Sequence, residues 1–287
     1  MKRALLLHLR LPFSFLLLPV YLLALATVPV VQTGNAVFAF FLIHFVLYPS
    51  SNAYNSLQDR DEGPIGALEK PPPPPAALGM LTLFMDGAGM ALSLLISPLF
   101  AGCYTTIVVL SRLYSYRSVR LKKYPFLGYF VVVVTQGGLT YFMSFVAISG
   151  SLPAAVPLLG MAISTVLIGA FYPVSQIYQH QQDAKDGVQT ISALLGVRGT
   201  FVWCTVLYGA AFALLGYWFV LGGWQRYLLV LAGGFLPVVF WFLRWAFQCF
   251  RNPAAASFRN TMQMSWRAAV CTNVSFFTVF LFRFYFA

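Results

Sequence analysis

The sequence predicts an all-α integral membrane protein with nine transmembrane helices, and three observations support this fold class. Of the 287 residues, 60% are hydrophobic and only 9% are charged, whereas soluble domains carry about a quarter charged residues. Apolar runs recur along the chain with the length of roughly 20 residues that a helix needs to cross the hydrocarbon core. The basic residues are distributed very unevenly between the connecting loops, as is typical of membrane proteins.

Hydropathy divides the chain into nine candidate spans within a single domain, 1–287. The apolar stretch from Ala76 to Leu110 is too long for one crossing, and Pro98 predicts the turn of a helical hairpin inside it. The first apolar stretch has no small-residue cleavage site, so we predict that it stays as a span. The predicted spans lie near residues 11–31, 36–54, 76–97, 99–115, 125–147, 153–177, 199–221, 226–247 and 268–286.

The basic residues predict the orientation of the chain. With nine spans, the N-terminus and the loops after even-numbered spans share one side, which carries every Lys and Arg except Arg226 and Arg283. Basic residues beside spans are retained in the cytoplasm, so we predict a multi-pass protein of the cell inner membrane with these loops cytoplasmic. The net charge of +11 then reflects topology and contact with membrane lipids, and no nucleic-acid partner is predicted.

The acidic residues are concentrated in two loops on this predicted cytoplasmic side. Of seven Asp and Glu residues, all but Asp86 lie in the loops after spans two and six. In the first loop, Asn52, Asn55 and Asp59 are spaced three and four residues apart. A helix continuing from span two would therefore place all three side chains on one face.

The second acidic loop repeats this arrangement with Gln179, Asp183 and Asp186, spaced four and three residues apart. Carboxylate and carboxamide oxygens are the hard ligands that Mg²⁺ prefers, and the ion keeps other positions for water or phosphate. The alternative is that both segments are ordinary polar loops. The predicted metal ligands are Asn55, Asp59, Asp61, Asp183 and Asp186.

A basic loop, residues 114–125, follows span four on the same side and carries four Lys or Arg residues. Such side chains donate charge-assisted hydrogen bonds to phosphate, so the loop is suited to clamping a diphosphate. The alternative is that they serve only the topology signal. Arg120 and Lys122 would face the same side of an extended loop, and we expect at least Lys122 to reach the diphosphate.

Together, these motifs resemble those of the UbiA-type intramembrane prenyltransferases, which have Asp-rich motifs after helices two and six and a Tyr-Ser…Arg-Leu-Lys segment after helix four. Two aspartates of the first motif are absent here, and Gln179 stands where the second motif begins with Asp. The residues that occupy the motif positions, replacements included, are Asn55, Ser56, Asp59 and Gly63 for the first motif, Gln179, Asp183, Gly187 and Thr190 for the second, and Tyr114, Ser115, Arg120, Leu121 and Lys122 for the third.

The resemblance implies nine helices around a central cavity, in which a prenyl diphosphate is bound through two Mg²⁺ ions and ionises to an allylic cation. It implies catalytic roles for Asp59, Asp183 and Lys122. Lys70 lies near the position of a family Arg-Pro pair, which implies a diphosphate contact. The residues predicted to bind substrate are Asn52, Lys70, Tyr114, Arg120, Lys122 and Gln179.

The leading functional hypothesis is Mg²⁺-dependent transfer of a prenyl group to a lipophilic or aromatic acceptor. The altered motifs leave open a terpene cyclase, in which the cation is trapped within its own molecule. A third hypothesis is a transporter or lipid-binding protein that uses the acids for ion coupling. Transporters usually place such sites at mid-depth, whereas these acids are predicted at one membrane face.

Asp86 lies inside predicted span three. An acidic side chain within the membrane is costly, which makes it a functional candidate by default. The alternative is that Asp86 is bonded to a neighbouring helix.

Overall fold

A computed structural model describes residues 2–151 and 157–286, which form nine long helices without any β-strand. The first helix is interrupted at Arg10 and at residues 15–17. The helices are α1 (Lys2–Thr27), α2 (Thr33–Asp59), α3 (Ala77–Ser93), α4 (Pro98–Ser115), α5 (Pro125–Ser149), α6 (Leu158–Ser175), α7 (Ile191–Leu221), α8 (Leu228–Arg251) and α9 (Phe258–Tyr285).

Seven of these helices, all except α3 and α4, are long and apolar enough by themselves to cross a membrane. Helix α3 has 17 residues and α4 has 18. Both occupy the positions of predicted spans three and four. The all-α membrane fold is therefore confirmed, whereas the number of nine crossings stays a prediction.

Helices α3 and α4 form the predicted helical hairpin, and its turn lies just before Pro98. Helix α3 ends at Ser93 and α4 begins at Pro98, the helix position at which a missing N–H costs nothing. The Ser97 hydroxyl accepts a hydrogen bond from the Phe100 amide at 3.1 Å. This cap satisfies one of the free amides at the start of α4.

The helix ends extend beyond several of the predicted spans. Helix α2 continues through the polar segment to Asp59, and α9 begins at Phe258, ten residues before the predicted start at 268. Hydropathy detects only the apolar part of a helix, whereas the backbone hydrogen bonds continue into polar sequence. The predicted start of span six at 153 lies outside the described residues.

Large apolar side chains cover the outer surface of the helical bundle. Leu229 is 81% exposed, Met80 78% and Phe126 69%. Apolar patches of this extent are rare on proteins surrounded by water, whereas lipid tails solvate them without cost. The distribution of exposed side chains therefore agrees with an integral membrane protein.

Two π-helical segments, Leu42–Leu47 in α2 and Val133–Leu139 in α5, change the direction of side chains along their helices. Such segments add a residue to a helical turn and often occur at functional sites. A side chain at Gly137 would lie 2.6 Å from the Cα atom of Thr165. Glycine therefore permits the close approach of α5 to α6 next to the second π-helical segment.

Asp86 is bonded to a neighbouring helix. Its carboxylate pairs with the guanidinium of Arg112 on α4 and accepts a hydrogen bond from the Ser50 hydroxyl of α2 at 2.6 Å. The Arg112 guanidinium also stacks on the Tyr54 ring, 4.0 Å from its centroid. Asp86 and Arg112 thus join α2, α3 and α4, which supports the structural alternative for Asp86.

Replacing Asp86 alone is expected to destabilise the bundle strongly. Asp86→Leu leaves the mostly buried Arg112 without a counter-charge, and we expect a loss of about 3–5 kcal/mol in the free energy of unfolding. The double variant Asp86→Leu/Arg112→Leu buries no unpaired charge and should recover at least half of that loss. The measurement is reversible unfolding of the purified proteins in mixed micelles. Equal losses in the single and double variants would contradict this account.

Candidate functional site

A cavity of about 190 Å³ lies among α1, α2, α4, α5 and α6. Its wall includes Asp59 from the end of α2, Lys122 from the loop after α4 and Asp183 from the loop after α6. The structure therefore brings the loops after α2, α4 and α6 together at one cavity. The residues Asn52, Asn55, Asp61, Tyr114 and Gln179 also line the cavity.

Asp59 is the most highly connected carboxylate of this cavity, although it is only 5% exposed. Its Oδ2 atom accepts hydrogen bonds from Lys122 Nζ at 2.5 Å and from Asn55 Nδ2 at 2.8 Å. The Arg120 guanidinium lies 3.5 Å from Oδ1, but Oδ1 accepts no hydrogen bond. One buried oxygen of Asp59 therefore keeps an unused lone pair.

The loop after α4 turns sharply at Arg120, which has a left-handed backbone conformation with φ of 48°. A 3₁₀ turn follows at Leu121–Lys123. The turn buries Lys122 beside Asp59, whereas Lys123 is exposed and lies 4.9 Å from the Tyr124 ring centroid. The two adjacent lysines therefore have different environments, and Lys122 is the one that lines the cavity. The loop forms a turn here and not the expected extended segment.

The loop after α6 contains a short helix, His180–Lys185. Gln179 and Asp183 line the cavity, and Gln179 Nε2 donates a hydrogen bond to the Pro64 carbonyl at 3.3 Å. Asp186 instead pairs with Arg120, 3.2 Å from its guanidinium. Neither Asp186 nor Arg120 is among the residues that line the cavity.

Burial raises the pKa values of two cavity carboxyl groups. The pKa of Asp183 rises to about 7, first because it is buried and then because Asp61 and Asp59 lie near it, while Lys122 opposes the rise. The pKa of Asp61 rises to about 6 through burial and the charge of Asp59. A divalent cation among these groups would relieve the repulsion and favour their ionised forms.

The oxygen atoms of this cavity fit a hard divalent cation. Asp59 has a free buried oxygen, while Asp61 and Asp183 lack sufficient compensating charge. Within residues 2–151 and 157–286, however, no three Asp, Glu, His or Cys side chains lie close enough together to hold a metal ion by themselves. This arrangement suits Mg²⁺, which binds through one or two carboxylates and completes its shell with water or phosphate oxygens.

Arg10 is a cavity residue that sequence reasoning did not select. It is 7% exposed, and it donates a hydrogen bond to the Asn52 carbonyl at 2.9 Å, while its Nε atom has no partner. No ion pair joins it to a carboxylate among the described residues. A basic residue at the start of the first apolar stretch was a visible signal, but it is also what the topology rule predicts.

A hydrogen-bonded group at the ends of α4 and α6 forms part of the cavity wall. The hydroxyls of Tyr114 and Tyr172 are bonded to each other, and Gln176 Nε2 donates to Tyr172 at 2.8 Å. Gln176 is 8% exposed, and its Oε1 atom has no partner. Tyr114 was selected from the sequence, whereas Tyr172 and Gln176 were not, because nothing in the sequence links them to Tyr114.

Lys70 lies apart from the cavity. Its side chain is exposed, and it is absent from the cavity wall. Its role in substrate binding therefore stays a prediction.

Comparison with known families agrees with this geometry. The model of the UbiA prenyltransferase family matches residues 16–267, which contain every residue of the cavity wall except Arg10 and Phe13. The chain belongs to the UbiA prenyltransferase family. It is accordingly an integral membrane protein with the helical fold of that family.

Several solved structures share this UbiA fold at low sequence identity. A UbiA homologue from Archaeoglobus fulgidus bound to DMAPP and Mg²⁺ has a TM-score of 0.69 and 16% identity, covering 96% of this chain and 98% of its own. The apo structure of a UbiA homologue from Aeropyrum pernix K1 has a TM-score of 0.70 and 17% identity, covering 93% and 97%.

A third similar structure concerns digeranylgeranylglyceryl phosphate synthase in membranes. It has a TM-score of 0.61 and 17% identity, and the alignment covers 98% of both chains. A search of curated protein sequences found no match. At these identities the structural comparisons establish a shared fold.

Divalent-metal binding should depend on the two loops that meet at the cavity. Asp59→Asn and Asp183→Asn are each expected to weaken Mn²⁺ binding, measured with inorganic pyrophosphate by electron paramagnetic resonance, at least tenfold. Each removes a carboxylate charge from the cavity wall. Glu62→Gln is the matched control, because Glu62 is exposed and is not part of this wall. Unchanged Mn²⁺ affinity in both Asp variants would show that the metal ligands lie elsewhere.

Proposed function

We propose that this chain catalyses Mg²⁺-dependent transfer of a prenyl group from a prenyl diphosphate to a lipophilic or aromatic acceptor within the membrane. One observation carries the proposal. Carboxylates from two loops and the cations Lys122 and Arg10 line one cavity, which continues into a wall of apolar and aromatic side chains. Such a cavity is polar enough for a diphosphate at one end and apolar enough for a prenyl chain at the other.

Asn55, Asp59, Asp61 and Asp183 are the residues that would hold Mg²⁺. When bound there, Mg²⁺ supplies positive charge that favours departure of the diphosphate. Asp186 belongs to the predicted ligand set, but it pairs with Arg120 and does not line the cavity. Its proposed role is therefore to hold Arg120 in position. The Mg²⁺ that accompanies DMAPP in the Archaeoglobus homologue supports the choice of metal.

The basic residues act on the leaving group. Ionisation breaks the bond between the allylic carbon and the diphosphate oxygen, and the electron pair leaves with that oxygen. Lys122 and Arg10 are buried donors on the cavity wall, so they can donate to the oxygens on which negative charge grows. Arg120 pairs with both Asp59 and Asp186, which fixes the positions of these two carboxylates.

The rest of the cavity protects the resulting allylic cation. Tyr48, Tyr114 and Tyr172 are aromatic members of the wall, and aromatic ring faces attract cations. The acceptor donates an electron pair to the allylic carbon to form the new bond, and it then loses a proton. Water must be kept out of this space because it would trap the cation first.

The same proposal includes the orientation of the chain. The loops after α2, α4 and α6 lie on the predicted side that carries all basic residues except Arg226 and Arg283. We therefore propose that the cavity opens to the cytoplasmic side of the inner membrane. A water-soluble diphosphate would then enter from the cytoplasm, while a lipophilic acceptor would enter from the bilayer.

A terpene cyclase remains the alternative within the same fold, because Ser56 and Gln179 replace aspartates of the family motifs. The decisive assay incubates the purified protein with Mg²⁺ and DMAPP or GPP, and measures diphosphate release with and without a panel of phenolic and isoprenoid acceptors. We expect release at least tenfold faster with a suitable acceptor. Equal release without an acceptor, with a cyclic product, would replace transfer by cyclisation. Absence of any release would contradict both enzymes and favour a transporter or lipid-binding protein.

Lys122 and Lys123 form a matched pair for testing the role of the basic loop. Lys122→Ala should lower kcat/KM for the diphosphate at least tenfold, or about 1.4 kcal/mol, because it removes a charge-assisted donor. Lys123→Ala should change kcat/KM less than twofold, because its side chain is exposed. A drop in kcat would mean that Lys122 acts mainly in the transition state. Small, equal effects of both substitutions would leave the loop with a topological role only.

A further inference from the structure

A second polar groove, of about 410 Å³, lies between α8 and α9, away from the cavity described above. Helical spacing of three, four and seven residues places its polar side chains on the facing sides of the two helices. This α8–α9 groove is lined mainly by Trp241, Arg244, Gln248, Asn260, Gln263 and Arg267.

The groove lies at the same end of the bundle as the candidate active site. Phe258, the first residue of α9, packs against Tyr178 of the cavity wall with ring centroids 5.2 Å apart. Arg244 precedes the end of α8 by seven residues, and Arg267 follows the start of α9 by nine. At 1.5 Å per residue, the two arginines lie roughly 10 and 14 Å inside the helix ends. Both arginines therefore lie within helices and not in the connecting loop.

The charges of the groove have no counter-charge among the described residues. Neither Arg244 nor Arg267 forms an ion pair or a hydrogen bond, and no Asp or Glu lines the groove. Glu69 lines the adjacent cavity with Arg259 and Arg267, but it forms no ion pair with either. Two arginines at this depth therefore offer guanidinium donors to an anion from outside the chain.

Aromatic and apolar side chains complete a lipid-like environment. The Arg267 guanidinium lies 5.1 Å from the Trp241 ring centroid, which holds it across the groove. Trp245 Nε1 donates to the Ala255 carbonyl at 2.9 Å and anchors the turn between the helices. About one and two turns before Arg244 on α8, Phe240 is 62% exposed and Leu236 is 65% exposed. Tryptophan at the interface and exposed apolar residues below it match the order of headgroup and acyl chain in a bilayer.

We propose that the α8–α9 groove binds the phosphate headgroup of an anionic phospholipid. Arg244 and Arg267 donate to the phosphate oxygens, Gln248 and Gln263 add neutral donors, and the acyl chains run along Phe240 and Leu236. Basic pockets between membrane helices are known to select anionic headgroups in this way. The site is independent of the proposed enzymatic reaction. It would place an anionic lipid at the end of the bundle that carries the cavity.

Native mass spectrometry of the purified full chain in detergent tests this proposal, with phosphatidylglycerol and phosphatidylcholine as probes. We expect the protein to retain phosphatidylglycerol at least tenfold more tightly than phosphatidylcholine. Arg244→Gln/Arg267→Gln should lower that affinity at least tenfold. The control Lys2→Gln/Arg3→Gln removes the same charge from exposed residues near the N-terminus and should lower it less than twofold.

Three outcomes would overturn the assignment. Equal losses in both double variants would show attraction by overall charge. Displacement of the lipid by millimolar inorganic phosphate would identify a small-anion site. Full lipid retention by the Arg244→Gln/Arg267→Gln variant would show that the lipid binds elsewhere, and a protein partner would then be the candidate ligand of the groove. If the double variant does not fold, Arg244→Gln alone is sufficient, because the exposed Arg244 makes no hydrogen bond; a loss of about threefold is then expected.

Discussion

The position of Asp59 is the constraint on which the candidate site depends. Its buried carboxylate contacts Asn55 on its own helix and both Arg120 and Lys122 on the loop after α4. Arg120 in turn holds Asp186 of the loop after α6. A chain of ion pairs thus joins three loops that are distant in sequence. Separating a buried ion pair leaves an uncompensated charge, which is costly, so this network also limits how far the loops can separate.

The same network leaves an imbalance that points to a ligand. The chain uses Lys122 and Arg120 to compensate Asp59 and Asp186, but Asp61 and Asp183 have no ion-pair partner among the described residues. Their raised pKa values express the cost of this arrangement. Arg10 in the same cavity wall is likewise buried and forms no ion pair with a carboxylate of the described residues. Excess acid and excess base in one cavity are compatible if a metal cation and a phosphate anion are bound together.

The helices of the bundle add apolar and aromatic side chains to the wall of this charged cavity. The π-helical segment of α5 contributes Thr135 and Gln136 to the cavity wall, and Tyr48 follows the π-helical segment of α2. Below the charged residues, Tyr114, Tyr172 and Gln176 form a bonded wall rather than an open polar surface. Under the proposed function, the diphosphate would lie at the charged residues and the prenyl chain against this apolar and aromatic part of the wall.

The sequence by itself determined the helical membrane fold, the hairpin at Pro98 and the polar face formed by Asn52, Asn55 and Asp59. These features depend on composition and on helical spacing, which are local properties. Only the tertiary structure decided that Asp183 faces the cavity while Asp186 pairs with Arg120, and that Asp86 is bonded to Arg112. It also brought Arg10 and Gln176 into the cavity. Such choices depend on contacts between segments far apart in the chain, and no local pattern encodes which of several similar side chains is buried.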